Sequence, residues 1–393
     1  MDNVVSPRSN PIGPLLEADE QFCHQIMDSF ACVGTTDRDW TEKVCAMAMA
    51  RDGSLQLGFG MGKYPNRNVM DCYAGVSRGK EQITVRASRQ LAPEPNFTAV
   101  GPIRYEVVEP LKKVRFILEP DNNVQPIAFD CQFESRIPAR FEDRTHIRQG
   151  YRTMAELVRY HQTGVASGWI EVDGKRTEIT PEDWVCTRDH SWGVRYGVGQ
   201  PQGALEPSGD GAGEGYEFFW SPSYLERPDG SYYALFFNFT LLRHGQGQTR
   251  TVMCAVEHPD GSVEPIYDIE PDLEYDPVNR RFKGGTLLCK MADGSSRPIT
   301  VEVMSDTGFH LGGGLYFGFD GHHHGDWRGK FHTDGERISD CTTPENARRL
   351  HQIRDTVIRI HDPVGGGTGW GNWQPVIMGD HPRSGLKAAT SFW

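Results

Sequence analysis

Apolar and polar residues alternate with a period of two along most of the chain, the pattern of β-strands with one buried face. Residues 55–61 and 83–88 alternate in this way, and 105–107 and 114–118 repeat the pattern. A helical spacing of apolar residues is confined to 15–30 and to a short stretch at 154–161. The pattern therefore predicts an all-β chain of antiparallel strands with a few short helices.

Asp-Gly dipeptides separate many of these runs, as in the segments 169–179 and 224–237. Both residues tolerate positive φ angles, which tight β-hairpins require. Many short strands joined by hairpins are typical of a sandwich or a barrel, so we expect two lipocalin-like, barrel-like antiparallel domains.

The length of 393 residues exceeds what one core usually spans, so we expect two domains. Residues 1–14 are expected to form a flexible tail. The pattern of strands changes at 137–162, which indicates that an N-terminal β-barrel-like domain spans 15–150. The C-terminal β-barrel-like domain then spans 151–393, and a long loop rich in Gly, Pro and acidic residues is expected at 197–215.

The charge balance argues against two classes of partner. The chain has 41 Lys and Arg against 53 Asp and Glu, a net charge of −12, and its basic residues form no run. Nucleic acids and anionic membrane surfaces are bound largely through clustered basic residues, so neither is expected as a partner. The nine cysteines include no C-x-x-C pair, and no apolar run resembles a signal peptide or membrane span. We therefore expect a cytoplasmic protein with reduced thiols and no integral membrane segment.

The string RDHSWGVR at 188–195 is the most distinctive candidate for chemistry. On a strand, His190 and Trp192 share one face, whereas Asp189 and Arg195 share the other. A histidine beside an aromatic ring could transfer a proton while the ring stabilises positive charge. The alternative is structural: a packed tryptophan, a histidine bonded to backbone, and a surface ion pair between Asp189 and Arg195.

The stretch from about residue 160 through RDHSWGVR resembles the lipocalin-like superfamily of acyclic carotenoid hydratases, tocopherol cyclases and related uncharacterised two-domain proteins. The strings GGGLYFGFDG at 312–321 and GDWRG at 325–329 look like a second landmark of those relatives. The resemblance implies two barrel-like β domains and cofactor-free addition of water to, or cyclisation of, an isoprenoid double bond. It also implies that His190 and Trp192 form the His-x-Trp pair of the superfamily.

One element of the superfamily has no clear counterpart here. The carotenoid hydratases carry a further Tyr-x-Asp element that supplies the acid for alkene protonation. Phe236 and Asn238 lie on a strand that otherwise fits, but an amide cannot donate a proton as an acid does. Either the acid is Asp189, Glu217 or Asp320 instead, or the chemistry differs from hydration of an unactivated alkene.

Aromatic residues suggest the class of ligand. One strand face carries three aromatic residues, Tyr216, Phe218 and Trp220, and another carries Tyr233, Leu235, Phe237, Phe239 and Leu241. We interpret most of these residues as the core of a barrel. The remaining positions could line a pocket for a steroid-like or terpenoid-like molecule. The predicted substrate-binding residues are Tyr216, Phe218, Trp220, Phe236, Asn238 and Tyr316.

The sequence does not favour a metal or cofactor. Three consecutive histidines at His322–His324 cannot all point inward from one strand, so we interpret them as an exposed turn. A non-haem metal enzyme using this turn stays as a third hypothesis. The glycines at 365–371 lack the βαβ context of a dinucleotide site.

These observations together predict a cofactor-independent lyase, hydratase or isomerase for a hydrophobic terpenoid-like or steroid-like substrate. His190 would transfer the proton, Trp192 would stabilise positive charge, and Asp189 or Glu217 would act as an acid or orient His190. The alternative is a lipocalin-like carrier that binds an apolar ligand and leaves it unchanged. The identity of the substrate and the oligomeric state stay open.

Overall fold

The computed structural model describes residues 3–5, 20–21, 33–92, 94, 97–203, 205, 215–245, 247–351 and 353–390. The predicted helix at 15–30 lies outside the described residues except for Glu20 and Gln21. The same holds for most of the predicted tail at 1–14 and for much of the predicted loop at 197–215.

The described residues are mostly β-strand, as the alternation predicts. In chain order the first fourteen strands are β1 (Asn3–Val5), β2 (Trp40–Ala50), β3 (Gln56–Tyr64), β4 (Val69–Arg78), β5 (Glu81–Gln90), β6 (Ala99–Val100), β7 (Ile103–Glu109), β8 (Lys113–Leu118), β9 (Ile127–Ser135), β10 (Arg140–Phe141), β11 (Thr145–Gln149), β12 (Arg152–Val172), β13 (Lys175–Ile179) and β14 (Trp184–Val194). The others are β15 (Gly215–Glu226), β16 (Tyr232–His244), β17 (Gly247–Glu257), β18 (Val263–Tyr275), β19 (Phe282–Met291), β20 (Ser296–His310), β21 (Phe331–Ile338), β22 (Arg354–Asp362) and β23 (Gly367–Gly379).

Helical structure in the described residues is short. The α-helix α1 spans Pro344–Arg349, and 3-10 turns occupy Pro65–Arg67, Leu311–Gly314, Pro382–Ser384 and Ala388–Thr390. Within the described ranges, no helix combines the length and the apolar character needed to cross a membrane.

Strands β15 to β20, β22 and β23 close into an antiparallel barrel. They follow one another in chain order around the ring, and the pairing of β17 with β18 closes it. Short β1 adds to β17 in parallel. This up-and-down barrel is the architecture expected of a lipocalin-like domain. Because the ring is closed, each of its strands is paired with a neighbour on both sides.

The other sheet is an open half-barrel in the order β21-β5-β4-β3-β2-β14-β12-β9-β8-β7-β6, with β10, β11 and β13 also paired to β12. The change from one sheet to the other falls between Val194 and Gly215, later than the boundary after residue 150 expected from the sequence. The reason is that β12 pairs with β9 and β14 pairs with β2. The RDHSWGVR strand therefore belongs to the first sheet, and β21 returns from the second part of the chain to its edge.

Three apolar cores hold the molecule together. One fills the half-barrel around Phe59 and Phe116, and another fills the closed barrel around Phe237 and Trp373. A third lies between the domains and includes Phe309. Because the second domain covers the outer face of the half-barrel, β3 is buried on both faces, whereas its alternating sequence predicted one buried face.

Candidate functional site

The RDHSWGVR strand, β14, presents two chemically different faces, as its period of two predicts. Arg188, His190 and Trp192 point into the half-barrel, where His190 and Arg188 are buried among side chains of β12. Thr187 and Asp189 point the opposite way, and Thr187 reaches the second domain. One strand therefore contributes to two separate polar clusters.

Inside the half-barrel, His190 is fully buried and bonded through both ring nitrogens. Its Nε2 lies 3.0 Å from Glu42 Oε1 and its Nδ1 lies 3.1 Å from the Tyr160 hydroxyl. The Trp192 ring packs edge-on at 5.6 Å from the His190 ring. Both ring nitrogens of His190 thus lie within hydrogen-bonding distance of buried side chains.

The outer face of β14 faces the closed barrel across the domain interface, where several side chains are only half-buried. We call this part of the interface the interdomain crevice. The residues that line it are half-buried, whereas most of their neighbours in the interface are buried. Small-molecule sites often occur at interfaces between domains. The lining residues are Cys45, Arg159, Asp189, Phe218, Asn238, Tyr316 and Gln374.

Asp189 is the acidic residue that the half-barrel contributes to the crevice. Its carboxylate lies 3.0 Å from the guanidinium of Arg159, and its side chain is 15% exposed. Cys45 is its directly opposite neighbour on β2. Burial raises the pKa of Asp189 above its ordinary value, although the charge of Arg159 opposes the shift. The predicted surface pair with Arg195 does not form: Arg195 donates instead to the Ser191 hydroxyl at 2.7 Å.

The closed barrel contributes a second acidic residue, Asp355 on β22. It is 1% exposed, accepts a hydrogen bond from Asn372, and accepts another from Gln374 at 3.3 Å. Thr187, two residues before Asp189, donates to Asn372 at 2.5 Å and so connects β14 to the partner of Asp355 across the interface. Burial raises the pKa of Asp355 to about 7, against the two amide hydrogen bonds.

Sequence reasoning missed Asp355. It lies near the start of β22, and nothing near it in sequence distinguishes it from a solvent-facing residue. Its burial comes from the packing of the second domain against β14, which is a long-range contact. A polar residue on an apparently exposed strand face was the only available signal.

Lys43 and Tyr316 extend the crevice along β2. The Lys43 ammonium lies 4.0 Å from the centre of the Tyr316 ring, and burial lowers the pKa of Lys43 to about 8 although Asp71 opposes the shift. Tyr73 lies 3.2 Å from the Cys45 sulfur. A cavity of about 10 Å³ beside Lys43, Asp71 and Tyr73 has room for roughly one water molecule.

The aromatic face predicted on β15 and β16 lies against the half-barrel. The Trp220 indole donates to Glu142 at 2.8 Å, and the Asn238 amide donates to the same carboxylate at 2.9 Å. The Phe236 ring stacks on His161 with ring centres 3.6 Å apart. Glu142 and His161 come from the half-barrel, so these contacts fasten the two domains together.

Two candidate acids lie elsewhere. Glu217 points into the closed barrel, where it is 1% exposed and accepts hydrogen bonds from Tyr275 at 3.1 Å and Arg243 at 3.2 Å. Asp320 is exposed and paired with Arg349 at 2.5 Å, and this hydrogen bond lowers its pKa. Neither reaches the interdomain crevice.

The sequence-predicted site residues thus separate into three places. Glu217 is inside the closed barrel, and His190 with Trp192 is inside the half-barrel. The remaining predicted residues share the interface between the domains: Asp189, Tyr216, Phe218, Trp220, Phe236, Asn238 and Tyr316.

The histidine-rich turn is only partly the exposed turn that the sequence predicts. His322 is exposed, His323 is half-buried, and His324 is buried with its Nδ1 3.0 Å from the Tyr64 hydroxyl. Burial lowers the pKa of His324 well below its ordinary value. In the part of the chain that the structure describes, no three His, Cys, Asp or Glu side chains converge closely enough to hold a metal ion.

A larger cavity, of about 610 Å³, lies at one end of the half-barrel and away from the crevice. Its lining is mostly polar or charged, including Arg51, Arg78 and Lys175. Arg51 is paired with Glu226 at 2.7 Å. This lining lacks the apolar walls expected around a hydrophobic ligand, so size alone does not make it the better candidate.

Comparison with solved structures finds similarity at low sequence identity. A protein of Nitrosomonas europaea described as a candidate AttH is 11% identical, with a TM-score of 0.50 over 86% of this chain and 92% of that one. Kievitone hydratase from Nectria haematococca is 12% identical, with a TM-score of 0.38 over 86% and 89%. CghA is 12% identical, with a TM-score of 0.43 over 88% and 90%. At such identities, the likeness to the Nitrosomonas protein shows a common all-β fold alone.

Sequence comparison leads to a family without an assigned activity. Residues 15–387 match the model described as "Family of unknown function (DUF8625)". No curated protein sequence matches the chain.

Proposed function

The chain belongs to this family of unknown function, and we propose that it is a cofactor-independent acid–base enzyme, a lyase or isomerase acting on an apolar small molecule in the interdomain crevice. The observation that carries this function is that Asp189 and Asp355 come from different domains and lie close enough at the interface that burial and the charge of Asp189 both raise the pKa of Asp355. Thr187, two residues before Asp189, donates to Asn372, which in turn donates to the Asp355 carboxylate.

The environments of the two acids suit different roles. Asp355 has no cation in its hydrogen-bonding set, so a substantial fraction is protonated near neutral pH and can donate a proton. Asp189 is paired with Arg159, whose charge favours the carboxylate, the form that accepts a proton, although burial raises the pKa of Asp189. Two nearby acids in different environments, one with a cationic partner and one without, can take the roles of base and acid.

The reaction would begin with transfer of the Asp355 proton to a double-bond carbon of the substrate. The electron pair of the double bond forms the new C–H bond and leaves a cation on the neighbouring carbon. Asp189 then takes a proton either from an adjacent carbon, which shifts the double bond, or from a water molecule that adds to the cation. Aromatic rings such as Tyr316 and Phe218 on the crevice walls would stabilise the positive charge.

The walls also support the substrate class. Phe218 and Tyr316 offer half-buried aromatic surface, while Arg159, Asn238 and Gln374 offer polar groups. Aromatic surface beside polar groups that fix orientation fits a hydrophobic molecule with a polar substituent. A terpenoid-like or steroid-like compound with a double bond or an eliminable hydroxyl group fits this description.

His190 and Trp192 keep their sequence-based assignment as a competing hypothesis, since they lie on the other face of β14. Their test is the variant His190→Gln in the assay described next. A loss of activity in this variant equal to that of the Asp355 variant, at unchanged folding, would favour proton transfer by His190 and contradict assignment to the crevice.

The decisive experiment is deuterium incorporation in D₂O. Purified protein is incubated with terpenoid and steroid alkenes and alcohols, and the recovered compounds are analysed by mass spectrometry. We expect wild-type protein to add one deuterium at carbon to at least one compound. Asp355→Asn and Asp189→Asn should each reduce this rate by about 10²–10⁴-fold, the usual contribution of general acid–base groups.

Asp320→Asn is the matched control, because Asp320 is exposed and remote from the crevice. It should incorporate deuterium at the wild-type rate. Wild-type rates in both crevice variants would overturn the assignment. Tight binding of a compound that is always recovered without deuterium would instead establish the lipocalin-like carrier.

A further inference from the structure

Arg188 lies at the centre of a polar cradle inside the half-barrel, on the face of β14 opposite to the crevice. Its side chain is 1% exposed, yet it carries a charge that must be compensated. Its Nε donates to Gln162 at 2.9 Å, and its two Nη atoms donate to the hydroxyls of Tyr105 and Tyr160 at 2.8 Å each. These partners are neutral, so they orient the guanidinium without balancing its charge.

A single carboxylate balances that charge. Oε1 of Glu20 lies 2.5 Å from Arg188 Nη2 and accepts hydrogen bonds from Tyr105 at 3.1 Å and Tyr160 at 2.8 Å. Its Oε2 accepts the backbone N–H of Leu111 at 2.6 Å. Glu20 is 0% exposed, and every donor in the set suits a carboxylate.

The cradle and its occupant come from distant parts of the chain. Strands β7, β12 and β14 and the turn after β7 supply the donors, and these residues also hydrogen-bond to one another independently of Glu20. Gln162 ties Leu111 to the rest by donating to its carbonyl at 2.6 Å. The half-barrel therefore builds a preorganised anion site, and residue 20 fills it from outside the sheet.

We propose that the Arg188 cradle is a carboxylate-binding site, occupied in this structure by the chain's own Glu20, that also accepts the carboxylate of a small apolar acid. A buried guanidinium without a counter-ion is strongly destabilising, so the cradle demands an anion whenever Glu20 leaves it. The rings of Tyr160 and Phe133, at 5.4 Å and 5.7 Å from the guanidinium, favour an apolar body behind the carboxylate.

This site is separate from the proposed catalytic crevice. Arg188 and Asp189 are consecutive on β14 and so point to opposite faces. A ligand of the cradle would touch Arg188, Tyr105 and Tyr160, none of which contributes to the crevice walls. Binding at the cradle can therefore be measured whether or not the crevice catalyses a reaction.

The test uses Glu20→Ala, which removes the carboxylate from the cradle and leaves its place to a small free carboxylate such as propionate. We expect sodium propionate to restore the melting temperature of this variant and to bind it at one site per chain by calorimetry. Affinity for propionate should be at least tenfold higher in the variant than in wild-type protein, where Glu20 competes at high effective concentration. Propionamide, which has the same shape without the charge, should produce neither effect.

Two controls make the result specific. Sodium chloride at the same ionic strength corrects for the screening of charges by salt. The matched control variant is Glu178→Ala, which removes an exposed glutamate that is paired with Arg176. Propionate should not stabilise the Glu178 variant. If Glu20→Ala does not fold, the same titration is made with Glu20→Gln, which keeps the shape of the side chain. Stabilisation by propionate no greater than that by chloride would overturn the assignment.

Discussion

His161 Nε2 lies 2.9 Å from a carboxylate oxygen of Glu257, and this contact joins β12 of the half-barrel to β17 of the closed barrel. Both side chains are buried. Glu142 also faces His161, at 3.6 Å, and Arg140 pairs with Glu257 at 2.8 Å. The domain interface is therefore held by a buried ionic cluster as well as by apolar packing.

This cluster predicts a pH-dependent stability. Burial lowers the pKa of His161, but Glu257 and Glu142 outweigh it and raise the pKa above its ordinary value of 6.5. The stabilisation is thus complete below about pH 6.5 and is lost as the pH rises through the raised pKa. His161→Gln should remove this dependence, so its melting temperature should fall less than that of wild type between about pH 6 and pH 9.

His258→Gln serves as the control for this pH profile, since His258 is paired with Glu264 at the surface. Its profile should follow that of wild type. On the acid side of the profile, stability is lost for a different reason. Burial raises the pKa of Glu257, but the charge of His161 and the hydrogen bond to it outweigh burial and lower the pKa. That contribution is lost as the pH falls below about 4.5. Parallel wild-type and His161→Gln profiles would contradict the role of the cluster.

Asp355 should cost stability when it is ionised. Its folded-state pKa of about 7 exceeds the ordinary value of 3.8, so the folded state becomes less stable as the pH rises between these values. Asp355→Asn removes this cost. The free energy of unfolding of the variant, relative to wild type, should increase by about 1–3 kcal/mol between pH 5 and pH 7. Urea denaturation at both pH values measures it, and an unchanged difference would show that Asp355 ionises normally.

The local structure was predictable because hairpins are encoded by neighbouring residues. The Asp-Gly dipeptides at Asp173 and Asp229 do join paired strands, β12 with β13 and β15 with β16. The alternation also placed Asp189 and His190 on opposite faces of β14. In each case the information lies within about ten residues of sequence.

The domain boundary and the second acid were not predictable for the same physical reason. Pairing of β14 with β2 joins residues more than a hundred positions apart, and periodicity does not specify which strand edges meet. Asp355 is on a strand face that becomes buried only when the other domain covers it. Helical spacing at 154–161 was misleading, because β12 is buried on both faces over part of its length.

Gly58 on β3 allows the interdomain core to form. A Cβ atom at this position would lie 2.5 Å from the ring of Phe309, which is fully buried between the domains. Gly58→Ala should therefore displace the ring and reduce the free energy of unfolding by about 1–3 kcal/mol. Gly203→Ala is the matched control, because its Cβ would meet nothing within 4 Å. Equal unfolding free energies for the two variants would show that the interface adjusts without cost.

Glu217 and Asp189 provide the sharpest contrast between a structural and a catalytic carboxylate. Glu217→Gln leaves Arg243 without its charge partner inside the closed barrel, so stability should fall by about 1–3 kcal/mol. Because Glu217 faces away from the crevice, its variant should add deuterium to substrate at the wild-type rate at a temperature where it is folded. Asp189→Asn should show the reverse pattern, with a large loss of rate. A rate loss in Glu217→Gln as large as that in Asp189→Asn would place the chemistry inside the closed barrel instead.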